Sequence, residues 1–327
     1  MRSLGRWIGR LLAFTIAAFL AVWFFAPRET MDASLSFDTS ILPDDLDTWI
    51  AKREGTISDI RPDSAKLIRW AGAPGSRTGW AVVYVHGFSA DRQEVRPLPD
   101  LVAQGLGANL YFARLAGHGR TGEAMAQATP EDWMHDMAEA LAIGRRIGDR
   151  VLVIGTSTGA TLITVALADP AGTEGVAGVV LISPNYRLAS GLSQAILDAP
   201  FVRAWGPLVA GSERSFEPLN EGHARQWTTR YPTAALFPMA TLMRRARAID
   251  LGSIAVPALF IQSPADRVVS APETARVAAA WGGPTLLHAP DLTPQDDPHA
   301  HVVAGDILSP SQTAPLAALV VDWAQGL

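Results

Sequence analysis

A strand, a tight turn and a helix follow one another in the middle of this 327-residue chain, and they constrain its fold more than any other feature. The apolar run Val151–Ile154 leads into Gly-Thr-Ser-Thr-Gly at 155–159, and the apolar stretch 160–168 then has the composition of a buried helix. Glycines two residues before and two residues after Ser157 allow the strand and the helix to pack closely. The pattern predicts a sharp elbow with the Ser157 hydroxyl at its apex, beside the N-terminus of a helix. A Gly-rich turn with an incidental serine is the alternative, and partners for Ser157 must decide between the two.

Apolar segments alternate with helical segments along most of the remaining chain. Further strands are predicted at 66–70, 80–85, 109–113, 176–182, 255–261 and 285–288, and helices at 94–104, 130–144 and 314–324. The run Trp80–Val85 is apolar throughout, which is typical of a strand buried on both faces of a parallel sheet. Together these elements predict an α/β fold with a mostly parallel, doubly wound sheet.

The alternation stops between residues 184 and 250. This stretch contains helical pieces at Leu192–Leu197 and Thr233–Ala248, several aromatic residues and no convincing strand. We interpret 184–250 as a helical cap inserted into the sheet domain, although an elaborated crossover connection would have the same composition. The sheet domain is then predicted in two parts, at 64–183 and 251–327.

The N-terminal segment has the pattern of a membrane-targeting sequence. The stretch Leu11–Ala26 is apolar and uncharged, and with a few preceding residues it is long enough to span a bilayer. Three arginines precede it: Arg2, Arg6 and Arg10. Bulky residues before Ala26 and a proline after it disfavour cleavage, so an uncleaved transmembrane anchor is predicted over 1–27. A cleaved signal peptide and a monotopic or buried helix are the alternatives. The positive-inside rule puts the rest of the chain on the non-cytoplasmic side, which is the periplasm in a bacterium, with 28–63 as a polar tether containing a short helix near Leu46–Glu54.

Composition excludes several classes of function. The formal net charge is -5 and no basic run is longer than two residues, so no nucleic-acid partner is predicted. The chain has no cysteine, which excludes disulfides, thiolate zinc sites and a cysteine nucleophile. No phosphate loop or dinucleotide fingerprint is present, and no cofactor is predicted. A metal site could be formed by Asp296, Asp297, His299 and His301, but no second cluster of ligands and no helical His-x-x-x-His supports it, so no metal is predicted. The sequence does not indicate the oligomeric state.

A serine at an elbow acts as a nucleophile when a base takes its proton and a carboxylate orients that base. Asp266 follows the strand segment 259–262 and His301 follows the last predicted strand, which places both at the edge where open α/β sheets carry their sites. We therefore predict Ser157 as nucleophile, His301 as base and Asp266 as the orienting acid. His299 is the alternative base. The alternative acids are Asp291, Asp296 and Asp297.

Backbone amides are the predicted donors for a developing oxyanion. His86-Gly87-Phe88 follows directly after a predicted strand, and a glycine there lets the next N–H turn into the site. We predict the backbone N–H groups of Phe88 and Thr158 as the oxyanion hole. His86 and His118 are interpreted as supports for the surrounding loops. The remaining histidines have no motif and are assigned to the surface or core: His135, His223 and His288.

Taken together, these motifs resemble those of the α/β-hydrolase superfamily over about residues 60–327. The order of the three predicted catalytic residues along the chain is that of this fold. Arg-Leu-Ala-Gly-His-Gly at 114–119 is similar to the Gly-His-Gly after the fourth strand in the group of monoacylglycerol lipases, bacterial carboxylesterases and serine-aminopeptidase-like proteins. Many members of that group have a helical cap in the position of 184–250. Thr156 and Thr158 beside the serine depart from the group and leave the pocket width open.

The resemblance implies hydrolysis through an acyl-enzyme. An aromatic-rich cap and a membrane anchor favour a small acyl ester as substrate, lipid esters included, so a carboxylesterase or monoacylglycerol-type lipase is predicted. An aminopeptidase or amidase is the alternative enzyme, and it would need an acidic pocket for a substrate amine. Three glutamates of the cap could supply that pocket: Glu213, Glu217 and Glu221. A non-catalytic binding module of the same fold is the second alternative.

Overall fold

A seven-stranded sheet forms the centre of the molecule in the computed structural model, which describes residues 2–327. In chain order, the strands of the described residues are β1 (Leu67–Arg69), β2 (Thr78–Val85), β3 (Asn109–Phe112), β4 (Gly148–Thr156), β5 (Val176–Ile182), β6 (Glu213–Ser215), β7 (Arg230–Pro232), β8 (Ala258–Ile261) and β9 (Thr285–His288). β6 and β7 lie outside the seven-stranded sheet. The sheet order is β1-β3-β2-β4-β5-β8-β9, with β1 antiparallel to β3 and the other neighbours parallel. The predicted mostly parallel, doubly wound sheet is confirmed.

Helices connect the strands and flank the sheet. They are α1 (Arg2–Phe25), α2 (Leu46–Glu54), α3 (Leu98–Leu106), α4 (Gly122–Gln127), α5 (Pro130–Ile147), α6 (Thr158–Ala166), α7 (Pro170–Thr173), α8 (Gly191–Leu197), α9 (Val202–Ala210), α10 (Glu221–Gln226), α11 (Leu236–Arg247), α12 (Ala271–Ala280) and α13 (Pro310–Gln325). The helix predicted from residue 94 begins only at Leu98, because Glu94 lies in a turn and buries its carboxyl group. The strand predicted from residue 255 begins only at Ala258, because Pro257 has no N–H to donate to a ladder.

Successive residues of the central strands point to opposite faces, and each face has its own apolar core. On β2, Val83 and Val85 pack with α5, α6 and α11, whereas Val82 and Tyr84 pack with α3 and α13. Residues Ala81 to Val85 are fully buried. Burial on both faces is the reason that this strand is a continuous apolar run and not an alternating one.

The stretch 184–250 lies between β5 and β8 and is mainly helical, with α8, α9, α10 and α11. α11 packs on α6, the helix that follows the elbow. The expectation that this stretch has no strand is wrong, since β6 and β7 form a short antiparallel pair. Each of these strands has three residues, and those of β6 are all exposed, so the pair has no apolar alternation that a sequence pattern could reveal.

The N-terminal helix α1 stands apart from the sheet domain. Its segment Gly5–Phe25 has 21 residues with a mean hydropathy of 2.0, and its most apolar part is not buried against the protein, so it is long and apolar enough to cross a membrane. Met1, which belongs to the predicted anchor, lies outside the described residues. The polar segment 28–63 packs on the sheet domain: Leu35 donates its N–H to the carboxylate of Asp169, and Glu54 is buried.

Candidate active site

The turn after β4 has the geometry of a strained elbow. Ser157 has φ 52° and ψ -113°, a backbone conformation that residues other than glycine rarely adopt. A Cβ atom on Gly155 would lie 2.8 Å from the backbone nitrogen of Ala160, and one on Gly159 would collide with the carbonyl oxygen of Val85. Both glycines are therefore required by the close contact of β2, β4 and α6 around the serine.

The structure brings the three predicted catalytic side chains together. Nε2 of His301 lies 3.1 Å from Oγ of Ser157, and Nδ1 of His301 lies 2.9 Å from Oδ2 of Asp266. The Asp266 carboxylate is completely buried and also accepts hydrogen bonds from the N–H groups of Val268 and Val269. These contacts hold the carboxylate, and through it the imidazole ring, in one orientation.

The alternative base and acids do not take the predicted catalytic positions: Asp291 is exposed, and Asp296 accepts hydrogen bonds from Thr293 and Ser311. His299 is exposed at the cavity wall, and the ring that contacts Ser157 is that of His301. Asp297 accepts hydrogen bonds from the backbone N–H groups of His299, His301 and Val302, so it shapes the histidine loop. Its role was missed, although the pattern Asp-Pro-His-Ala-His is that of a side chain bonding to N–H groups shortly after it. Within residues 2–327, no group of three or more histidine, aspartate or glutamate side chains is arranged to hold a metal ion.

The two predicted oxyanion donors lie next to the serine. Thr158 is the first residue of α6, and the first N–H groups of a helix have no partner within it. Phe88 directly follows Gly87, whose α-carbon is so close to the serine that a Cβ atom there would lie 3.2 Å from Cβ of Ser157. Within the described chain, neither N–H group donates a hydrogen bond to a protein acceptor. Both amides are thus free to bind an oxygen atom of a ligand.

Glu94 is a buried carboxylic acid beside the site that sequence patterns did not single out. Its Oε2 accepts hydrogen bonds from the N–H of Gly87 at 2.7 Å and from the hydroxyl of Tyr84 at 3.0 Å. Burial raises the pKa of Glu94 to about 7, although both hydrogen bonds act in the opposite direction. A glutamate seven residues after Gly87 looks like an ordinary helix residue in the sequence, so the only available signal was its place near the Gly87 turn.

The histidines around the site differ in the direction in which their pKa is shifted. Burial lowers the pKa of His301, but the hydrogen bond and charge of Asp266, with the charge of Glu94, outweigh it and raise that pKa above 6.5. His86 and His118 are fully buried, and burial lowers the pKa of both, that of His118 to about 4. Nε2 of His86 accepts the N–H of Leu115, and its Nδ1 therefore donates to the carbonyl of Gly87. His86 and His118 are neutral supports of the loops, as expected.

A cavity of about 510 Å³ opens above Ser157. Its apolar lining includes Phe88, Leu188, Phe216, Tyr231, Leu236 and Met239. Of the three cap glutamates considered for an amine pocket, Glu217 lines the cavity, whereas Glu213 forms an exposed ion pair with Arg230 and Glu221 begins α10. The geometry therefore combines a serine that contacts a histidine with a mostly apolar chamber, whose lining also includes the carboxyl groups of Glu94, Glu217 and Asp297.

Comparisons with known proteins identify the family and the fold. A family model described as "Alpha/beta hydrolase family" matches residues 82–306. Among solved structures, a metagenome-derived lipolytic enzyme from work on LipS and LipT is 23% identical, with a TM-score of 0.65 over 82% of this chain and 100% of that chain. Monoacylglycerol lipase from Paleococcus ferrophilus is 17% identical (TM-score 0.57; 80% of this chain and 98% of that chain). A soluble variant of monoglyceride lipase from Saccharomyces cerevisiae is 10% identical (TM-score 0.57; 80% of this chain and 91% of that chain).

A search of curated protein sequences finds no match. At these identities the solved structures establish a shared fold, and a fold alone does not determine the substrate. The family model covers more than half of the chain, including Ser157, Asp266 and His301. The chain therefore belongs to the alpha/beta hydrolase family.

Proposed function

We propose that the protein is a serine hydrolase that cleaves carboxylic esters through an acyl-enzyme. The observation that supports this most directly is the hydrogen-bonded series Ser157, His301 and Asp266 at the floor of the apolar cavity. Family membership supports a hydrolase in general, and the contacts between these residues support the specific roles proposed here. Ser157 is the nucleophile, His301 the general base and Asp266 the group that orients the base.

The proposed reaction has two halves. In the first, Oγ of Ser157 attacks the ester carbonyl carbon while Nε2 of His301 takes its proton. The resulting oxyanion accepts hydrogen bonds from the N–H groups of Phe88 and Thr158, and its collapse releases the alcohol, which takes the proton from His301. In the second half, a water molecule gives a proton to Nε2 of His301 and attacks the acyl carbon. Collapse of this intermediate breaks the bond to Oγ of Ser157, which takes the proton from His301, and the acid is released.

Asp266 selects the tautomer of the imidazole that this reaction needs. Its carboxylate is fully buried and accepts from Nδ1 of His301, so the proton of the neutral ring is on Nδ1 and the lone pair of Nε2 faces Ser157. Gln262 donates a further hydrogen bond to the same carboxylate at 3.0 Å. The carboxylate is therefore held in its orientation by several donors.

The cavity favours an ester with an apolar acyl or alcohol part over a peptide. Its wall is mostly aromatic and aliphatic. The buried carboxyl groups of Glu94 and Asp297 in that wall already accept hydrogen bonds from the backbone, which leaves Glu217 at the exposed rim as the contact for a substrate amine. Esterases need an apolar chamber and an oxyanion site, whereas an aminopeptidase also needs a fixed anionic contact for its substrate amine. The similarity in fold to lipases points the same way, and we propose a carboxylesterase or monoacylglycerol-type lipase.

We also propose that α1 is an uncleaved anchor that leaves the sheet domain, with a cap at 184–250, on the non-cytoplasmic side. The support is the length, hydropathy and lack of burial of Gly5–Phe25, with Arg6 and Arg10 near its N-terminal end. The intact mass of protein extracted from host membranes tests this. A mass that includes residues 1–27 is expected, and a mass that lacks them would show a cleaved signal peptide.

Hydrolysis of p-nitrophenyl esters from acetate to palmitate, with aminoacyl arylamides in parallel, tests the proposed activity. We expect ester turnover that is lost in Ser157→Ala and retained in Ser193→Ala, a matched change at an exposed serine of α8. A fluorophosphonate probe should label the wild type and Ser193→Ala but not Ser157→Ala. Arylamide turnover without ester turnover would identify a peptidase. Folded protein that neither turns over nor labels would contradict the proposal and favour a binding module.

A further inference from the structure

Two consecutive helices of the cap carry large apolar side chains in water. Leu192 on α8 is 74% exposed, Phe201 at the start of α9 is 57% exposed, and Leu208 and Val209 on α9 are 85% and 67% exposed. We call these four residues the cap face. Leu208 and Val209 lie three and four residues after Trp205, so the three share one side of α9. Several large apolar side chains exposed on neighbouring helices are typical of a surface that contacts a partner or a membrane.

The end of α1 is fastened to the corner between these two helices. Nε of Arg28 donates to the carbonyl of Asp198 at 2.8 Å, and its Nη2 donates to the carbonyl of Trp23 in the last turn of α1. Glu29 forms two hydrogen bonds to Arg203 of α9, at 2.6 and 3.0 Å. Arg28 and Glu29 therefore hold the C-terminal end of α1 beside the helices that carry the cap face.

This corner is also a fixed part of the cap. Asp198 accepts two hydrogen bonds from Arg247, at 2.7 and 2.8 Å, which ties the corner to α11. The guanidinium group of Arg203 lies 5.1 Å from the ring centre of Phe237, another residue of α11. The next residues of α11 include Met239, which lines the cavity above Ser157. A contact made by the cap face is thus close to one wall of the active-site cavity.

We propose that the cap face lies in the headgroup region of the same bilayer that α1 crosses. A helix of 24 residues is about 36 Å long, enough to cross a hydrocarbon core of about 30 Å. Only Ala26 and Pro27 separate its end from Arg28, so the corner held by Arg28 must lie at the membrane surface. The occupant of the cap face is then the lipid surface, which accepts exposed Phe, Leu and Trp side chains at its boundary.

The proposal rests on the hydrolase activity proposed above and makes it more specific. A cap face seated in lipid would place the cavity next to the source of membrane esters, so the preferred substrates are esters that reside in the bilayer. An ester with a long acyl chain would then reach Ser157 without first dissolving in water.

A fluorescent probe tests the contact independently of activity. The natural chain has no cysteine, so Leu208→Cys in the full-length protein offers a single labelling site for an environment-sensitive nitrobenzoxadiazole group. Asp149→Cys is the control, because this exposed residue lies near the amino end of β4, at the opposite end of that strand from the serine. In phosphatidylcholine nanodiscs we expect a blue-shifted emission and quenching by doxyl-labelled lipid at position 208 and neither at position 149.

Two results would overturn the proposal. Equal quenching at the two positions would show that the cap face is not in the lipid. A blue shift at position 208 that appears in detergent and grows with protein concentration, without lipid-dependent quenching, would show that a second copy of the chain covers the face instead.

Activity measurements separate this proposal from the proposed function. In Leu208→Ser/Val209→Ser we expect unchanged turnover of a soluble short-chain ester and several-fold slower turnover of a long-chain ester in phosphatidylcholine vesicles. The control is Leu286→Ser/Leu287→Ser, which removes two exposed leucines from β9 and should leave both rates unchanged. An equal loss on both substrates, or no loss on either, would contradict docking. Wild-type protein inactive on every ester would contradict the hydrolase while leaving the probe result valid.

Discussion

Glu94 accepts a hydrogen bond from the backbone N–H of Gly87 at 2.7 Å, so a buried carboxyl group lies directly behind the turn that presents Phe88. A side chain at residue 87 would strike this carboxyl, because a Cβ atom there would lie 2.6 Å from its Oε1. The contact links the oxyanion turn to an ionisable group with a pKa of about 7. Its charge also raises the pKa of His301.

We expect Glu94→Gln to change the pH dependence of ester hydrolysis. The active form of His301 is neutral, so a raised pKa moves the acidic limb of kcat/KM to higher pH. Removal of the Glu94 charge should lower the pKa of His301 and move that limb to lower pH. Glu217→Gln, at the exposed rim of the same cavity, is the control and should leave the limb in place. A limb that does not move in Glu94→Gln would show that the carboxyl has no electrostatic effect on the base.

The same substitution should alter the pH dependence of stability. The pKa of Glu94 is about 7 in the folded protein and its ordinary value is 4.5, so the folded state binds this proton more tightly than the unfolded state. Stability from this group is present below pH 4.5 and is lost as the pH rises to about 7 and beyond, by an amount on the order of 3 kcal/mol. Urea denaturation at pH 5 and pH 8 measures it. The loss between these two pH values should be smaller in Glu94→Gln than in the wild type, and equal losses would contradict the raised pKa.

We expect Asp266→Asn to reduce ester turnover by roughly 1,000- to 10,000-fold, with little effect on folding. An asparagine amide fits the same space, but its NH₂ group can donate to Nδ1 of His301 and would then leave Nε2 protonated toward Ser157. Asp291→Asn is the matched control, because Asp291 is an exposed acid of the histidine loop. Measurement of kcat for both variants decides between the two acids. Comparable losses in both would contradict the role of Asp266.

The sheet and the elbow were predictable because local patterns determine them. Strands buried on both faces must be apolar throughout, and an elbow packed this closely requires Gly155 and Gly159. Ser157, Asp266 and His301 could be named because each follows a strand that ends at the same edge of the sheet.

Other parts of the site depend on contacts between segments that are distant in sequence. Glu94 has its effect only because Tyr84 and Gly87 donate to it, and no periodicity distinguishes it from a surface glutamate. The β6 and β7 pair is short and exposed, so it has neither the length nor the alternation of a recognisable strand. The division between tether and sheet domain likewise depends on which polar residues are buried, which composition does not reveal.

Gly155→Ala should destabilise the elbow. The added Cβ atom would meet Cδ1 of Ile163 at 2.5 Å and the backbone nitrogen of Ala160 at 2.8 Å, and the second contact cannot be relieved by rotating a side chain. We expect a loss of stability of about 1 to 3 kcal/mol and a large loss of activity, since the serine would shift. Gly72→Ala is the control, because no atom lies within 4 Å of a Cβ atom there. Thermal unfolding and kcat compare the variants, and unchanged values in Gly155→Ala would contradict the tight packing.

Glu54→Gln tests whether the segment before β1 is a tether or a part of the folded body. The Glu54 carboxylate receives two hydrogen bonds from Arg114, both at 2.8 Å, and both side chains are almost completely buried. Loss of one partner of a buried pair leaves the other charge uncompensated, so we expect about 3 to 5 kcal/mol of destabilisation. Asp44→Asn is the control, because its ion pair with Arg146 is exposed and should contribute less than about 1 kcal/mol. If Glu54→Gln unfolds at a lower urea concentration than the wild type, α2 is a part of the folded body; if both unfold at the same concentration, α2 contributes nothing to its stability, as a tether would.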